Sequence, residues 1–294
     1  LATKEKSTRS KSKQQHTEMM KADKYYKDNI NKILKEGSWD EKPRPSWKDG
    51  TPAYTKFITG VFEEYDLENG EFPITTLRNT AIKTGIKEIL WIYQKQSNSL
   101  SDAHDMGINW WDEWDIGDGT IGQRYGATIR RYGLMDDLLN GLINDPFGRR
   151  HIIDMYQYAD LKETPGLHPC AFMTKYSVRR KDGELYLDMT LDQRSNDYVM
   201  AGYINKIQYV ALQMMVATHC GFKVGKFCHM VQNLHIYDRH FDAVKEIMER
   251  ESINSYPKIE LLGMKNFYDY TIDDFSITGT EGIKKLSEKL EIAV

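Results

Sequence analysis

Residues 167–197 read LHPCAFMTKYSVRRKDGELYLDMTLDQRSND. A β-rich run over 172–178 leads into Asp182-Gly183, a pair suited to the positive φ values of a tight hairpin turn. Beyond the turn, Leu185, Leu187, Met189 and Leu191 alternate with polar or amphipathic neighbours, which predicts a strand with one buried face. Helical stripes lie on both sides of this hairpin. Tyr26, Ile30, Ile33 and Leu34 form one, closed by Gly37. Ile82, Ile86, Ile89, Leu90 and Tyr93 form a second. Ile204, Ile207, Val210, Ala211, Met214 and Met215 read as a buried helix. Residues 227–237 and 259–262 read as further strands. Helices and antiparallel strands intermix without βαβ regularity, so the spacing predicts an α+β fold rather than a doubly wound sheet.

The composition bounds the function. Of 294 residues, 40% are hydrophobic and 28% charged, a soluble globular balance that excludes a disordered chain, a collagen and a disulfide scaffold. No apolar run approaches the roughly 18 residues that cross a bilayer. The longest, over 209–217, is broken by Gln213 and ended by Thr218 and His219. Forty basic against forty-three acidic residues give a net charge of −3. That balance disfavours a nonspecific nucleic-acid binder but leaves room for a local basic pocket. Cys170, Cys220 and Cys228 are an odd number, with no CxxC and no zinc spacing, which points to a reducing, cytoplasmic setting without structural metal. Residues 1–22 are expected to form a polar, basic tail, because a stretch with so few apolar side chains cannot offset its ordering entropy. It has no apolar core of a secretory signal. Residues 23–294 have no linker and no internal repeat, and read as one large domain. Neither GxGxxG nor GxxxxGK[ST] occurs, so a dinucleotide or P-loop site is not expected.

Several residue groups carry candidate chemistry. Cys170 follows Thr164-Pro165-Gly166 and opens a strand behind Pro169, which fixes the backbone and can present the sulfur to a cleft. It is either a buried small hydrophobe or a nucleophile held as thiolate by nearby positive charge. Gln193-Arg194-Ser195-Asn196-Asp197 ends the alternating strand, where a guanidinium beside a hydroxyl suits a phosphate. The bland alternative is a surface ion pair of little worth. Gly148-Arg149-Arg150-His151 is a second positive spot, and with Arg44 the arginines fit an anion pocket or a solvated face. Trp110-Trp111-Asp112-Glu113-Trp114 offers indoles that stack on flat heterocycles or simply fill core. His235 and Tyr237 share one strand face, either as donors to a sugar or as rim residues.

Taken in order, these pieces resemble the thymidylate synthase family, over nearly everything but the tail. The strongest matches are Leu167-His168-Pro169-Cys170, Gln193-Arg194-Ser195-Asn196-Asp197, Asn205 and His235-Ile236-Tyr237. Support comes from Asp49-Gly50-Thr51-Pro52, Phe72-Pro73-Ile74-Thr75-Thr76, Lys87-Glu88-Ile89-Leu90-Trp91, Gly122-Gln123-Arg124-Tyr125-Gly126 and Arg149-Arg150. The sequence departs from the family's pattern at Ala171, at Ala201 and Tyr203, and at Gln232-Asn233.

The resemblance implies a mixed sheet flanked by helices, packed through the sheet as a homodimer. It implies reductive methylation of dUMP to dTMP, with 5,10-methylenetetrahydrofolate as co-substrate and no metal. Cys170 is then the nucleophile, with Glu88, Tyr125 and Asn205 in the catalytic set. Arg44, Gln193, Arg194, Ser195, Asp197, Asn205, His235 and Tyr237 are expected at dUMP, joined by Arg149 and Arg150 of the other subunit. The charge of Arg194 is expected to lower the Cys170 pKa. Trp111, Trp114, Asp197 and Ala293 are expected at the folate. The C-terminal Ile292-Ala293-Val294 is expected to close over it. No membrane and no obligatory nucleic acid is implied. A dUMP hydroxymethylase on the same scaffold is the alternative, and a non-catalytic nucleotide- or RNA-binding protein is a second. Glu88 beside Cys170 speaks against the latter, since binding needs neither.

Overall fold

Asp182 and Gly183 both take positive φ, 50° and 83°, so the hairpin turn forms where the sequence predicts it. It joins β4 (Ala171–Lys181) to β5 (Glu184–Asp197). The computed structural model describes residues 19–294, and the tail expected over 1–22 lies outside them up to residue 18. The other strands are β1 (Ser38–Trp39), β2 (Thr55–Asp66), β3 (Ile152–Asp154), β6 (Lys223–Tyr237), β7 (Lys258–Leu261) and β8 (Phe275–Thr278). The helices are α1 (Lys21–Glu36), α2 (Ile82–Ile89), α3 (Leu100–Asp105), α4 (Gly126–Tyr132), α5 (Leu134–Asn144), α6 (Tyr158–Glu163), α7 (Tyr203–His219) and α8 (Phe241–Glu249). The expected tail boundary at residue 22 falls inside α1, whose Ala22 and Asp23 are already buried.

Six strands form a mixed sheet in the order β1-β2-β6-β5-β4-β3, and β7 pairs with β8 in a separate ribbon. The α+β class and the mixed sheet are as the sequence predicts. The expectation of antiparallel strands without a βαβ unit needs one correction. β5 and β6 run parallel, joined by α7. Parallel neighbours require such a crossover, and a helix is its usual form. Alternation reports which face of a strand is buried, not which way its neighbour runs.

Leu187, Leu191 and Phe227 turn their buried side chains to the helical side of the sheet, where α7 packs. α7 lies between the sheet and α2, and every residue from Lys206 to Ala217 is buried. An apolar surface all round is what such a sandwiched helix requires. The stripe read over Ile82 to Tyr93 is not one regular helix. α2 ends at Ile89 and the chain continues as a π-helical turn over Leu90–Gln94. A second π-helical turn, Tyr198–Gly202, joins β5 to α7. Both line the cavity described next, a frequent setting for such widened turns.

Candidate active site

The sheet's topology brings distant residues to one rim. β5 and β6 are parallel, so both end there, and Asp197 faces His235 in register. β4 is antiparallel to β5, so it begins where β5 ends, and Ala171 faces Gln193. Cys170, Arg194, Ser195, Asp197, His235 and Tyr237 therefore meet around one cavity of about 730 Å³. The first turn of α7 adds Asn205, α2 adds Glu88, and Tyr125 enters from the N-cap of α4. Trp111, Trp114, Arg44 and Ala293 also line the cavity. This volume lies within the range of small-molecule sites. Among the described residues no cluster of His, Cys, Asp and Glu is arranged to hold a metal ion.

The Cys170 sulfur lies 3.4 Å from Nη2 of Arg194. That guanidinium also donates to the backbone oxygens of His168 at 2.7 Å and Pro169 at 3.0 Å, which fixes its position. The Cys170 amide donates to the Tyr125 hydroxyl at 3.1 Å. Tyr125 itself sits at φ 46°, an uncommon conformation for a residue with a side chain. Such strain concentrates at functional sites, where surrounding packing enforces it. Burial pushes the Cys170 thiol up, and the charges of Arg194 and Arg44 oppose that shift without reversing it. Arg194 acts in the direction expected from the sequence, but desolvation outweighs the two guanidiniums and the thiol stands raised.

Glu88 is buried among three donors. Its Oε2 accepts from the indole of Trp111 at 2.8 Å and from that of Trp110, and its Oε1 accepts from Gln208 at 2.9 Å. Burial pushes its carboxyl up, and the donors offset part of the rise. Asn205 accepts at Oδ1 from Gln193 and from Asn196, each at 3.1 Å. His235 is buried, which lowers its pKa and keeps the ring neutral, and it lies 2.9 Å from the Asn233 amide oxygen. Asp197 caps the turn after β5 by accepting from the Met200 amide at 3.2 Å. The C-terminal Val294 exchanges backbone bonds with Ser46 at 2.8 and 3.0 Å. Arg239 ties Glu291 at 2.9 Å to Asp49 at 2.7 Å, holding the last residues against the cavity.

A family model described as thymidylate synthase matches residues 24–292. The chain belongs to the thymidylate synthase family. It is 51% identical over 270 residues to a thymidylate synthase of Streptococcus pneumoniae (strain 70585), covering 90% of this chain and 97% of that protein. The thymidylate synthase of Lactococcus lactis subsp. cremoris (strain SK11) is also 51% identical, with the same coverage. The fold of this chain is similar to that of the thermostable thymidylate synthase A from Bacillus subtilis, with TM-score 0.82, 36% identity, and 92% of this chain and 99% of that one covered.

Most of the residues singled out from the sequence meet at this cavity. Arg149 and Arg150 do not: both are exposed beyond α5, away from the chain's own cavity. Trp110 and Gln208 were not assigned to the site by sequence reasoning, although both bond Glu88. Trp110 adjoins the expected Trp111, and Gln208 follows Asn205 by three residues on one helix face, so spacing held a signal for each.

Proposed function

We propose that this enzyme, a methyltransferase of the thymidylate synthase family, converts dUMP to dTMP through a covalent bond between Cys170 and C6 of the uracil. The observation that carries this reading is one cavity in which Cys170 lies 3.4 Å from Arg194 and which Glu88 and Asn205 also line. The co-substrate 5,10-methylenetetrahydrofolate supplies both the one-carbon unit and the hydride. The cavity fits two flat ligands, since the charge at Arg44 and Arg194 suits a phosphate and the Trp111–Trp114 pair suits a heterocycle.

Each side chain then has a task. The Cys170 thiolate adds to C6, which makes the otherwise weakly nucleophilic C5 electron-rich. Loss of the thiol proton is favoured by Arg194, whose charge opposes the desolvation of the sulfur. Arg44, Arg194 and Ser195 hold the phosphate. Asn205 offers the uracil edge both an acceptor and a donor, with Gln193 fixing its amide. His235 and Tyr237 hold the ribose hydroxyl. Glu88, itself buried, handles protons, Tyr125 supports the Cys170 backbone, and Asp197 meets the pterin. Ile292, Ala293 and Val294 cover the folate.

In this reading residues 23–294 form one catalytic domain that works as a homodimer. Phe62 and Met230 face each other in register on β2 and β6, and are 49% and 41% exposed. A paired exposed apolar surface of this kind supports a partner on the sheet. Arg149 and Arg150, exposed in the single chain, would reach the partner's phosphate. Three free cysteines support a cytoplasmic setting. The hydroxymethylase alternative is not favoured, because the relatives are synthases. The test is product mass after incubation with dUMP and methylenetetrahydrofolate, alongside the absorbance of dihydrofolate. dTMP with equimolar dihydrofolate supports the reading, and hydroxymethyl-dUMP or no turnover overturns it.

A further inference from the structure

Gln208 is 2% exposed and lies one helical turn beyond Asn205 on α7. Its Oε1 accepts from Asn205 Nδ2 at 3.0 Å, and its Nε2 donates to Glu88 Oε1 at 2.9 Å. The direction of this amide is dictated from both ends. Asn205 Oδ1 is already taken by the Gln193 and Asn196 donors, so Asn205 turns its NH₂ toward Gln208. Gln193 is itself oriented by donating to the Ser195 carbonyl at 3.1 Å, which can only accept. Gln208 must therefore meet Asn205 with its oxygen and Glu88 with its NH₂. The neighbouring helix leaves room for this side chain. A Cβ on Gly85, one turn before Glu88, would stand 3.2 Å from Gln208 Cγ and 3.1 Å from Ile204 Cγ2.

We propose that Gln208 is a positioning residue that locks the base-reading Asn205 and the buried Glu88 into one hydrogen-bond register, on the reading of the site given above. Losing it has unequal effects on the two ends. Asn205 keeps two donors on Oδ1, so nucleotide binding persists. Glu88 Oε1 has no other partner among the described residues, so the carboxylate loses its orientation and turnover falls. Ionisation of Glu88 also responds, because a donor favours the charged form. The groups around Glu88 do not compete in that titration. The Trp110 and Trp111 indoles do not ionise, and burial pushes both Tyr125 and Tyr209 up, leaving them neutral.

Gln208→Met keeps the shape and removes both bonds. Its kcat for dTMP is expected to fall roughly 10- to 100-fold, with the KM for dUMP changed by less than about threefold, the split that marks lost transition-state stabilisation rather than lost ground-state binding. Gly85→Ala, which touches neither end of the link, is expected to give a milder fall of the same kind. A second readout needs no turnover. The infrared carboxyl band lost in Glu88→Gln reports Glu88, and its titration midpoint is expected to move to higher pH in Gln208→Met and, less, in Gly85→Ala. An unmoved midpoint in whichever variant folds, or a raised KM with unchanged kcat, overturns the proposal. If the unmodified enzyme makes no dTMP, the functional reading fails, while the infrared titration still decides the link.

Discussion

Replacing the Cys170 sulfur by a hydroxyl preserves the cavity's shape and removes the proposed nucleophile. Cys170→Ser is expected to lose turnover by orders of magnitude while still binding dUMP, because a neutral hydroxyl is far less nucleophilic than a thiolate. Cys220 is pushed up to about 12 by burial and Cys228 is also raised, and neither lines the cavity, so their serine variants are expected to stay active. The pH dependence of the thiol follows from Arg194. Its positive charge stabilises the thiolate, so Arg194→Gln should raise the Cys170 pKa further and shrink the thiolate fraction at any given pH. Alkylation of Cys170 followed against pH should therefore shift its midpoint upward in that variant, and a downward shift would contradict the arrangement. Asn205→Asp should weaken dUMP use relative to dCMP. A carboxylate would set oxygen against the Gln208 oxygen that now accepts from Nδ2. Kinetics with both nucleotides check this, and an unchanged preference counts against direct readout. At this scale Cys170 and Arg194 were legible because reactive residues stood in dense local motifs, whereas Asn205 came only from the family resemblance. Gln208 was only half legible, since helical spacing sets it beside Asn205 but its partner Glu88 lies 120 positions away, beyond any local pattern.

Elements decide how firmly that rim is held. α1 is pinned by buried Asp23, which accepts from the Thr75 hydroxyl at 2.6 Å and the Thr76 amide at 2.8 Å. Asp23→Ala strands these donors away from water and should cost about 3 kcal/mol. Urea unfolding should show a lower midpoint with an unchanged slope. The C-terminal segment is held by exposed ion pairs at Arg239, each worth little for global stability. Arg239→Ala should therefore leave the unfolding midpoint nearly unchanged while raising the KM for folate, because it unties Glu291 from the Asp49 loop beside the cavity. A large stability loss with normal folate kinetics would contradict that division. The hairpin at Asp182-Gly183 and the buried faces of β5 and α7 were readable because turn chemistry and periodicity are local. The parallel pairing of β5 and β6, and the π-helical turns after α2 and before α7, were not. They arise from how α7 packs between sheet and helix, which no short window encodes.

On the scale of the whole molecule, the single chain leaves Phe62, Met230, Arg149 and Arg150 exposed. All four are proposed to contact a second copy. Arg149→Ala and Cys170→Ser homodimers should each be poor enzymes. A mixed dimer holds one site with both lesions and one with neither, so re-annealing should restore part of the activity. Recovery no greater than the sum of the parents, with mixed dimers verified by mass, would sink the shared site. One measurement tests the central claim most directly: intact-protein and peptide mass after incubation with 5-fluoro-dUMP and methylenetetrahydrofolate. The account predicts a stable ternary adduct whose mass localises to Cys170 and which is absent in Cys170→Ser. An unmodified Cys170, or an adduct that persists in Cys170→Ser, would contradict it.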